Sequence, residues 1–419
     1  MAQALDHNKS IEAAVASTES AETRITQAKS GSLPKVNYTE SWSRSDNPVF
    51  VFSSLLTQRQ FGESNFGIAK LNQPEFLNNF QSLLSAEQPL YDAGKTRRAV
   101  RMAELGRNAA AEEGRRIQSQ VIADVARFYY DSQLRAEQAA ITAQAMRSAE
   151  ADLERAEATR VNGIATDADI LSVRVHIAAI REEQIRRVAE LEVSNAALND
   201  AMGLPLGSTH SLTTKLAPLP IPRNELAGME RSAVEERAEA RQTRLVAQIA
   251  ATQVADARSN YLPQVALRGA FEADRQRFVN RGGTNWLVSI GLRWNLFNGG
   301  ADKARVAETE AAVRRTAAEQ ARAESGVRLQ VRQAWAGLTA AQQRIETARA
   351  TVAEAQESVR IIQNRFAAGL NAVSDLLRAE SALLDTQTRY LAAVHDQRIA
   401  AAMLEFAAGT LNAGSEVLN

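Results

Sequence analysis

The chain of 419 residues contains no cysteine. That excludes disulfides, thiolate metal sites, a cysteine nucleophile and a lipid-modified N-terminal cysteine. It is compatible with an oxidising compartment. Long apolar runs are also missing. No window of about 20 apolar residues exists, so a bilayer crossing would have to be made by β-strands rather than a helix. Charge of one sign is absent as well: Lys+Arg and Asp+Glu both number 49 and the formal net charge is zero. No basic footprint for nucleic acid is present. Met1–Ser10 lacks the basic start and apolar core of a signal peptide, so an exported protein would be a mature or trimmed form of this chain.

Proline is scarce and unevenly placed. All nine lie at 34, 48, 74, 89, 205, 218, 220, 222 and 263. Residues 94–204 and 264–419 have none. Because proline breaks helix interiors, those intervals are free to hold very long helices.

What is present is one unit written twice. "LYDAGK" at 90–95 matches "LFNGGA" at 296–301, an offset of 206. The same offset carries Val121 and Val125 onto Val327 and Val331, Gly163 onto Gly369, Asp169 onto Asp375 and Gly203 onto Gly409. Upstream, "AKSGSLPKVNY" at 28–38 matches "ARSNYLPQVAL" at 257–267 with an offset of 229, so the first copy is longer by 23 residues. The extra length falls near "DNPVFVFSSLLTQRQF", read as a loop between two strands. The expected organisation is a first repeat over 1–202, a proline-rich linker over 203–232 and a second repeat over 233–419.

Each copy reads as helix, strand, loop, strand, long helix, tight turn, helix. The expected leading helix covers about 3–30. Strands are expected at about 32–43 and 79–91, then 261–275 and 284–297. Long helices are expected at about 95–160 and 301–366, followed by helices at about 165–202 and 371–408. In the last strand Trp286, Val288, Ile290, Leu292, Trp294 and Leu296 alternate with Ser289, Gly291, Arg293 and Asn295. That is a period-two pattern with one apolar and one polar face. Val36, Tyr38 and Trp42 form the same kind of face in the first strand. Trp42, Trp286 and Trp294 are therefore expected at lipid-facing or interfacial positions. Each long helix would span roughly 100 Å at 1.5 Å per residue, a length that belongs to coiled-coil or tubular assemblies. Its apolar residues are thin and mostly alanine.

Four amphipathic strands cannot stand alone in lipid, because the open sheet edges would leave backbone N–H and C=O groups unsatisfied. Closure must come from other chains, and barrels of 8, 12 or 16 strands would need two, three or four subunits. Gly94 and the Gly299–Gly300 pair sit where each second strand turns into its long helix, and glycine permits the positive φ such a turn needs. Gly163 and Gly369 break helix from helix at the far end of each long helix.

These residues resemble the TolC-type outer-membrane efflux and secretion proteins of Gram-negative bacteria. The resemblance is carried by "LPKV" and "LPQV" opening the first strands, "LRWNLFNGG" closing the last, the motifs "NGIATDADIL" and "AGLNAVSDLL", and the closing "FAAGTLN". It implies a mixed α/β membrane protein, internally duplicated, with four membrane β-strands per chain plus long periplasmic α-helices. Three chains would form a 12-stranded outer-membrane β-barrel continued by an α-helical barrel. It also implies a homotrimer working with a periplasmic adaptor protein and an inner-membrane transporter, ABC or proton-driven, the barrel wall contacting outer-membrane lipid. Export would be passive. The hairpin tips at Gly163 and Gly369 would meet the adaptor. Asp169 and Asp375 match acidic positions of the family's periplasmic constriction, where a ring of carboxylates would bind cations. The family's locking arginine position is Asn371 here, and a second acidic position is Arg378, which leaves an Arg378–Asp169 contact as a substitute.

Simpler readings stand beside these. Asp169 and Asp375 also fit ordinary acids at helix N-termini. "AGKT" at 93–96 is the end of a phosphate-binding motif whose first glycine is replaced by Pro89, so it reads as a turn. His7, His176, His210 and His395 show no metal-ligand spacing. "RGG" at 281–283 reads as a hairpin loop. No nucleophile–base pair, metal site or cofactor loop is evident, so neither an enzyme nor a cofactor is expected. A structural coiled coil without a channel is the alternative, and the alternating strands argue against it. The exported substrate is open among drugs, metals and proteins, with multidrug efflux and type I secretion about equal.

Overall fold

The computed structural model describes residues 1–161, 165–220, 225–279 and 282–418. Its contacts divide into two compact units that each draw on both sequence copies. A helical unit comprises Met1–Thr18, Ala109–Arg244 and Ala318–Asn419. A sheet unit comprises Glu19–Asn108 and Leu245–Ala317. No described helix is long and apolar enough to cross a membrane.

The sheet unit holds β1 (Lys35–Ser45), β2 (Leu77–Tyr91), β3 (Gln264–Arg275) and β4 (Gly283–Arg293), antiparallel and in the order β1-β2-β3-β4. The register puts Tyr38, Leu84, Phe271 and Trp286 in one cross-strand row and Lys35, Glu87, Arg268 and Ser289 in another. Directly opposed residues point to the same face, so the two rows define an apolar and a polar face. The polar row is tied by Arg268 to Glu87 at 3.2 Å. The observed strands differ from expectation at their ends. The first strand of each copy starts three residues late, at Lys35 and Gln264, because single 3₁₀ turns at Ser30–Ser32 and Ser259–Tyr261 and then Pro34 and Pro263 precede them. The last strand stops at Arg293 rather than 297, because its partner Gln264 is the first residue of β3. Trp294 and Leu296 therefore lie beyond the ladder.

The longer first loop is not irregular. It carries two helices, α3 (Pro48–Thr57) and α4 (Ile68–Asn72). Asn47 caps α3 by accepting from the Phe50 N–H at 3.2 Å, with Pro48 in the first helical turn. The end of α3 rests on the polar face of the sheet. Gln58 donates to the Asn78 carbonyl at 3.0 Å and to Asn79 Oδ1 at 2.8 Å, and Asn79 in turn donates to Asp274 at 2.7 Å.

The expected leading helix is two helices, α1 (Ala2–His7) and α2 (Lys9–Lys29). Asn8 separates them. Its backbone is extended, its Oδ1 accepts from Ser10 N–H at 2.9 Å and its Nδ2 donates to the Ala201 carbonyl at 3.0 Å. The two long helices, α5 (Lys95–Val161) and α9 (Ala301–Ala367), have 67 residues each. They are followed by α6 (Asp167–Ala201) and α10 (Val373–Ala408). Between the copies, α7 (Leu226–Glu236) begins inside the expected linker and is followed by α8 (Ala238–Arg258).

Among the described residues no single large core forms in the helical unit. Ala4, Val121, Val125 and Leu198 make one small cluster, and Ala233, Val327, Val331 and Leu404 make another from the corresponding positions of the second copy. A third joins α5, α6 and α10 through Met146, Val173, Ile177 and Val373.

Candidate functional site

Three features carry functional potential: the apolar sheet face, the strand-to-helix joints and the helical hairpin ends.

The apolar face is uncovered. Trp42 is 59% exposed, Trp286 78% and Trp294 55%, and Val288, Ile290 and Leu292 beside them are equally open. The Trp294 indole N–H donates to the Tyr261 carbonyl at 3.0 Å, which fixes an aromatic ring with its polar tip satisfied at the base of the sheet. The outer strands β1 and β4 each pair on one side only within the chain. A polar network that the sequence pattern did not reveal lies on this same face: Arg275 donates to Glu40 at 2.9 Å and to Ser82 at 2.7 Å, and Tyr38 donates to Glu40 at 2.7 Å.

The joints are built alike in both copies. Asp92 accepts from the Gly94 and Thr96 N–H groups at 2.9 and 2.7 Å, and Asn298 accepts from the equivalent Asp302 N–H at 3.3 Å. Burial pushes the Asp92 carboxyl up, but these donors outweigh it and hold it below the usual carboxylate range. Gly94 and Gly300 have φ of +78° and +89°. The residue before each is also left-handed: Gly299 at +70°, but Ala93 at +54°. Alanine in that region is strained where glycine is not.

At the hairpin ends Gly163 lies outside the described residues. Gly369 closes α9 with φ of +73°, its N–H donating to Phe366 and the next N–H to Arg365, both at 2.9 Å. Asp169 completes a capping box on α6: Thr166 Oγ1 accepts from the Asp169 N–H at 3.2 Å, and the Asp169 carboxylate accepts from the Thr166 N–H at 2.9 Å. The capping reading of Asp169 is thus met in the structure. Asp375 differs. Its helix follows the N-cap residue Ala372, which has no capping side chain, and its carboxylate accepts from Asn371 at 3.2 Å and from Arg378 at 3.3 Å. Arg378 thus reaches the acid on its own helix. A cavity of about 630 Å³ at these ends is lined by Asp152, Arg155, Asp169, Asn371 and Leu376, among others.

Two polar clusters, each around a buried side chain, were not expected. His395 of α10 bonds to Asp131 at 2.7 Å and to Asp396 at 3.3 Å, and Arg344 holds Asp396 at 2.7 Å. Nearer the hairpin ends, Asp152 of α5, His176 of α6, Gln363 of α9 and Glu380 of α10 come together. The signal for the second cluster was present in the repeat: Arg174 of the first copy is replaced by Glu380 at the equivalent place of the second. Among the described residues no group of three or more His, Cys, Asp or Glu side chains could hold a metal ion.

A family model described as "Outer membrane efflux protein" matches residues 1–204 and 231–410. Protein CyaE of Bordetella pertussis is 28% identical over 333 residues, covering 77% of this chain and 69% of that protein. Among solved structures, the outer membrane protein VceC of Vibrio cholerae aligns with a TM-score of 0.78 at 18% identity, covering 97% of this chain and 94% of VceC. The open-state MtrE outer membrane channel of Neisseria gonorrhoeae aligns with a TM-score of 0.78 at 17% identity, covering 97% and 87%. At these identities the structural likeness shows the fold.

Proposed function

Because the chain belongs to the outer membrane efflux protein family, we propose that it is a passive outer-membrane channel-tunnel of a tripartite efflux or type I secretion system. Three copies contribute four strands each to a 12-stranded barrel, and their helices continue it into the periplasm. The observation that carries this reading is the sheet itself. Its apolar face is exposed, it ends in two strands with one unpaired side each, and backbone groups at such edges cannot be left unsatisfied in lipid. Pairing β4 of one copy with β1 of the next removes every edge. The polar face, with Lys35, Glu87 and Arg268, then lines a wet lumen, and α3 of each copy overhangs the lumen at the strand ends away from the helices.

The residue roles follow from this placement. Trp42, Trp286 and Trp294 meet lipid or its interface. Gly94 and Gly299–Gly300 are the joints where barrel becomes helical tunnel. The hairpin ends, including Gly163 and Gly369, dock a periplasmic adaptor, which links the tunnel to an inner-membrane transporter, ABC or proton-driven. The two repeats divide at the segment 203–232. Asp375, Asp169 and Arg378 form the periplasmic gate, and the Arg378–Asp375 contact keeps part of its charge neutralised.

Membrane fractionation with heat-modifiable migration tests the assembly. An outer-membrane trimer that collapses to monomer on boiling is expected, and a soluble monomer without a β signal in circular dichroism would sink the reading. For the gate, Asp375→Ala channels in planar bilayers are expected to lose block by divalent cations. Unchanged conductance and block would remove Asp375 from the gate.

A further inference from the structure

Asp152 and Glu380 place two carboxyl groups against each other inside the helical unit, each within about three helical turns of a hairpin end. Asp152 is only 1% exposed. Its Oδ1 accepts from Arg155 at 2.6 Å, while its Oδ2 is buried with no donor among the basic and neutral groups around it. The Glu380 carboxyl lies against that of Asp152, and two carboxylates form no hydrogen bond unless one of them is protonated. Gln363 of α9 donates to Glu380 at 3.5 Å, and His176 of α6 lies 4.0 Å from it. Two carboxylates in contact in a dry site cannot both carry charge without strong repulsion. A proton on Glu380 supplies the donor that Asp152 Oδ2 lacks.

We propose that Asp152 and Glu380 share one proton as a latch tying α5 of the first hairpin to α10 of the second, and that its loss drives the hairpins apart and opens the periplasmic end. This rests on the channel reading and adds its regulation. The charges facing the pair are few. On α5 they are Asp152 and Arg155, on α6 His176; α9 contributes the neutral Gln363 and α10 Glu380 itself. Burial and then the Asp152 carboxyl push Glu380 up to about 8, with Gln363 and Arg155 opposing. Burial lowers His176 from its ordinary value, Asp152 only partly restoring it, so the imidazole is already neutral when Glu380 loses its proton. The single positive charge of Arg155 then faces two carboxylates. The first copy has no such pair. Glu380 corresponds to Arg174, which pairs at 3.0 Å with Glu157, the counterpart of Gln363, and Asp152 corresponds to Ser358, so the change from arginine to glutamate at one repeat position creates the latch.

The test is the conductance of the full-length protein in planar bilayers between about pH 6 and pH 9.5. Wild type is expected to rise several-fold with a midpoint near pH 8. Glu380→Gln, whose amide still donates to Asp152, is expected to stay at the low-pH level throughout. Asp152→Asn is expected to move the midpoint to lower pH, and His176→Asn to leave it in place. A flat wild-type profile, or a wild-type step surviving in Glu380→Gln or lost in His176→Asn, would overturn the latch while leaving the channel standing. No conductance from any variant at any pH would overturn both. Infrared difference spectra give a readout independent of conductance. A protonated-carboxyl band should vanish between pH 7 and 9 in wild type and be missing from Glu380→Gln; its persistence in that variant would overturn the latch.

Discussion

The two repeats agree at the joint end and part company at the hairpin end. At the joints Asp92 and Asn298 accept the same N–H, and the next two residues are left-handed in both copies. At the hairpins the first copy has Thr166 capping α6 and an Arg174–Glu157 ion pair. The second has uncapped Ala372, an Asn371–Asp375–Arg378 chain, and Glu380 turned toward Asp152. A strand must become a helix in the same way twice, so backbone geometry holds the joints alike. Hairpin ends only have to reverse the chain, which leaves their side chains free to diverge.

The two repeats are most tightly constrained at one pair of glycines. Gly203 and Gly409 close α6 and α10 with φ of +70° and +77°. A Cβ on Gly203 would lie 2.5 Å from the His7 carbonyl oxygen, whereas on Gly409 it would meet the Arg237 Cγ at 3.0 Å. Gly203→Ala is expected to cost about 3 kcal/mol and Gly409→Ala roughly half that, since a side chain yields where backbone does not. Thermal unfolding of the detergent-solubilised protein compares them. Equal losses would show that the two sites are not packed as described.

The hairpin difference predicts a pH effect next. Glu380 binds its proton in the folded chain up to about pH 8 but, at its ordinary value of 4.5, releases it when unfolded. Between those values the folded state holds the extra proton, so stability should fall as pH rises from about 4.5 to about 8, then level off. Glu380→Gln should remove that component of the slope in denaturation measured across the range.

Smaller effects sharpen the same contrast. Ala93→Gly should stabilise the first joint by roughly 0.5–1 kcal/mol by relieving the left-handed alanine, and Gly299→Ala should cost about 1 kcal/mol at its counterpart. Thr166→Ala should cost about 1 kcal/mol through the lost cap, while Ala372→Thr should gain up to about that much by giving α10 the cap of α6. Loss in both cap variants would contradict the assigned helix starts.

Much of this was legible in the sequence for a physical reason. Proline-free stretches and fixed offsets between motifs mark long helices and their ends, and period-two patterning marks strands, because both are local signals. The face carrying Trp42 and Trp286 could be read residue by residue. What escaped was set by neighbours distant in sequence. β4 ends at Arg293 only because β3 begins at Gln264. The helix α3 looked like loop because "PVFVFSSLLT" has no helical period, and its place is fixed by Gln58 reaching Asn79. Arg378 pairs with Asp375 rather than supplying the lock to Asp169 that the resemblance suggested. Glu380 and Asp152 lie on different repeats, and only the Arg174-to-Glu380 exchange hinted at them.

In the proposed channel this open four-stranded sheet closes by repetition of the chain in the outer membrane. Native mass spectrometry of the detergent-extracted protein tests it most directly. The account predicts a mass three times that of the chain; a monomer, or a dimer or tetramer, would contradict it.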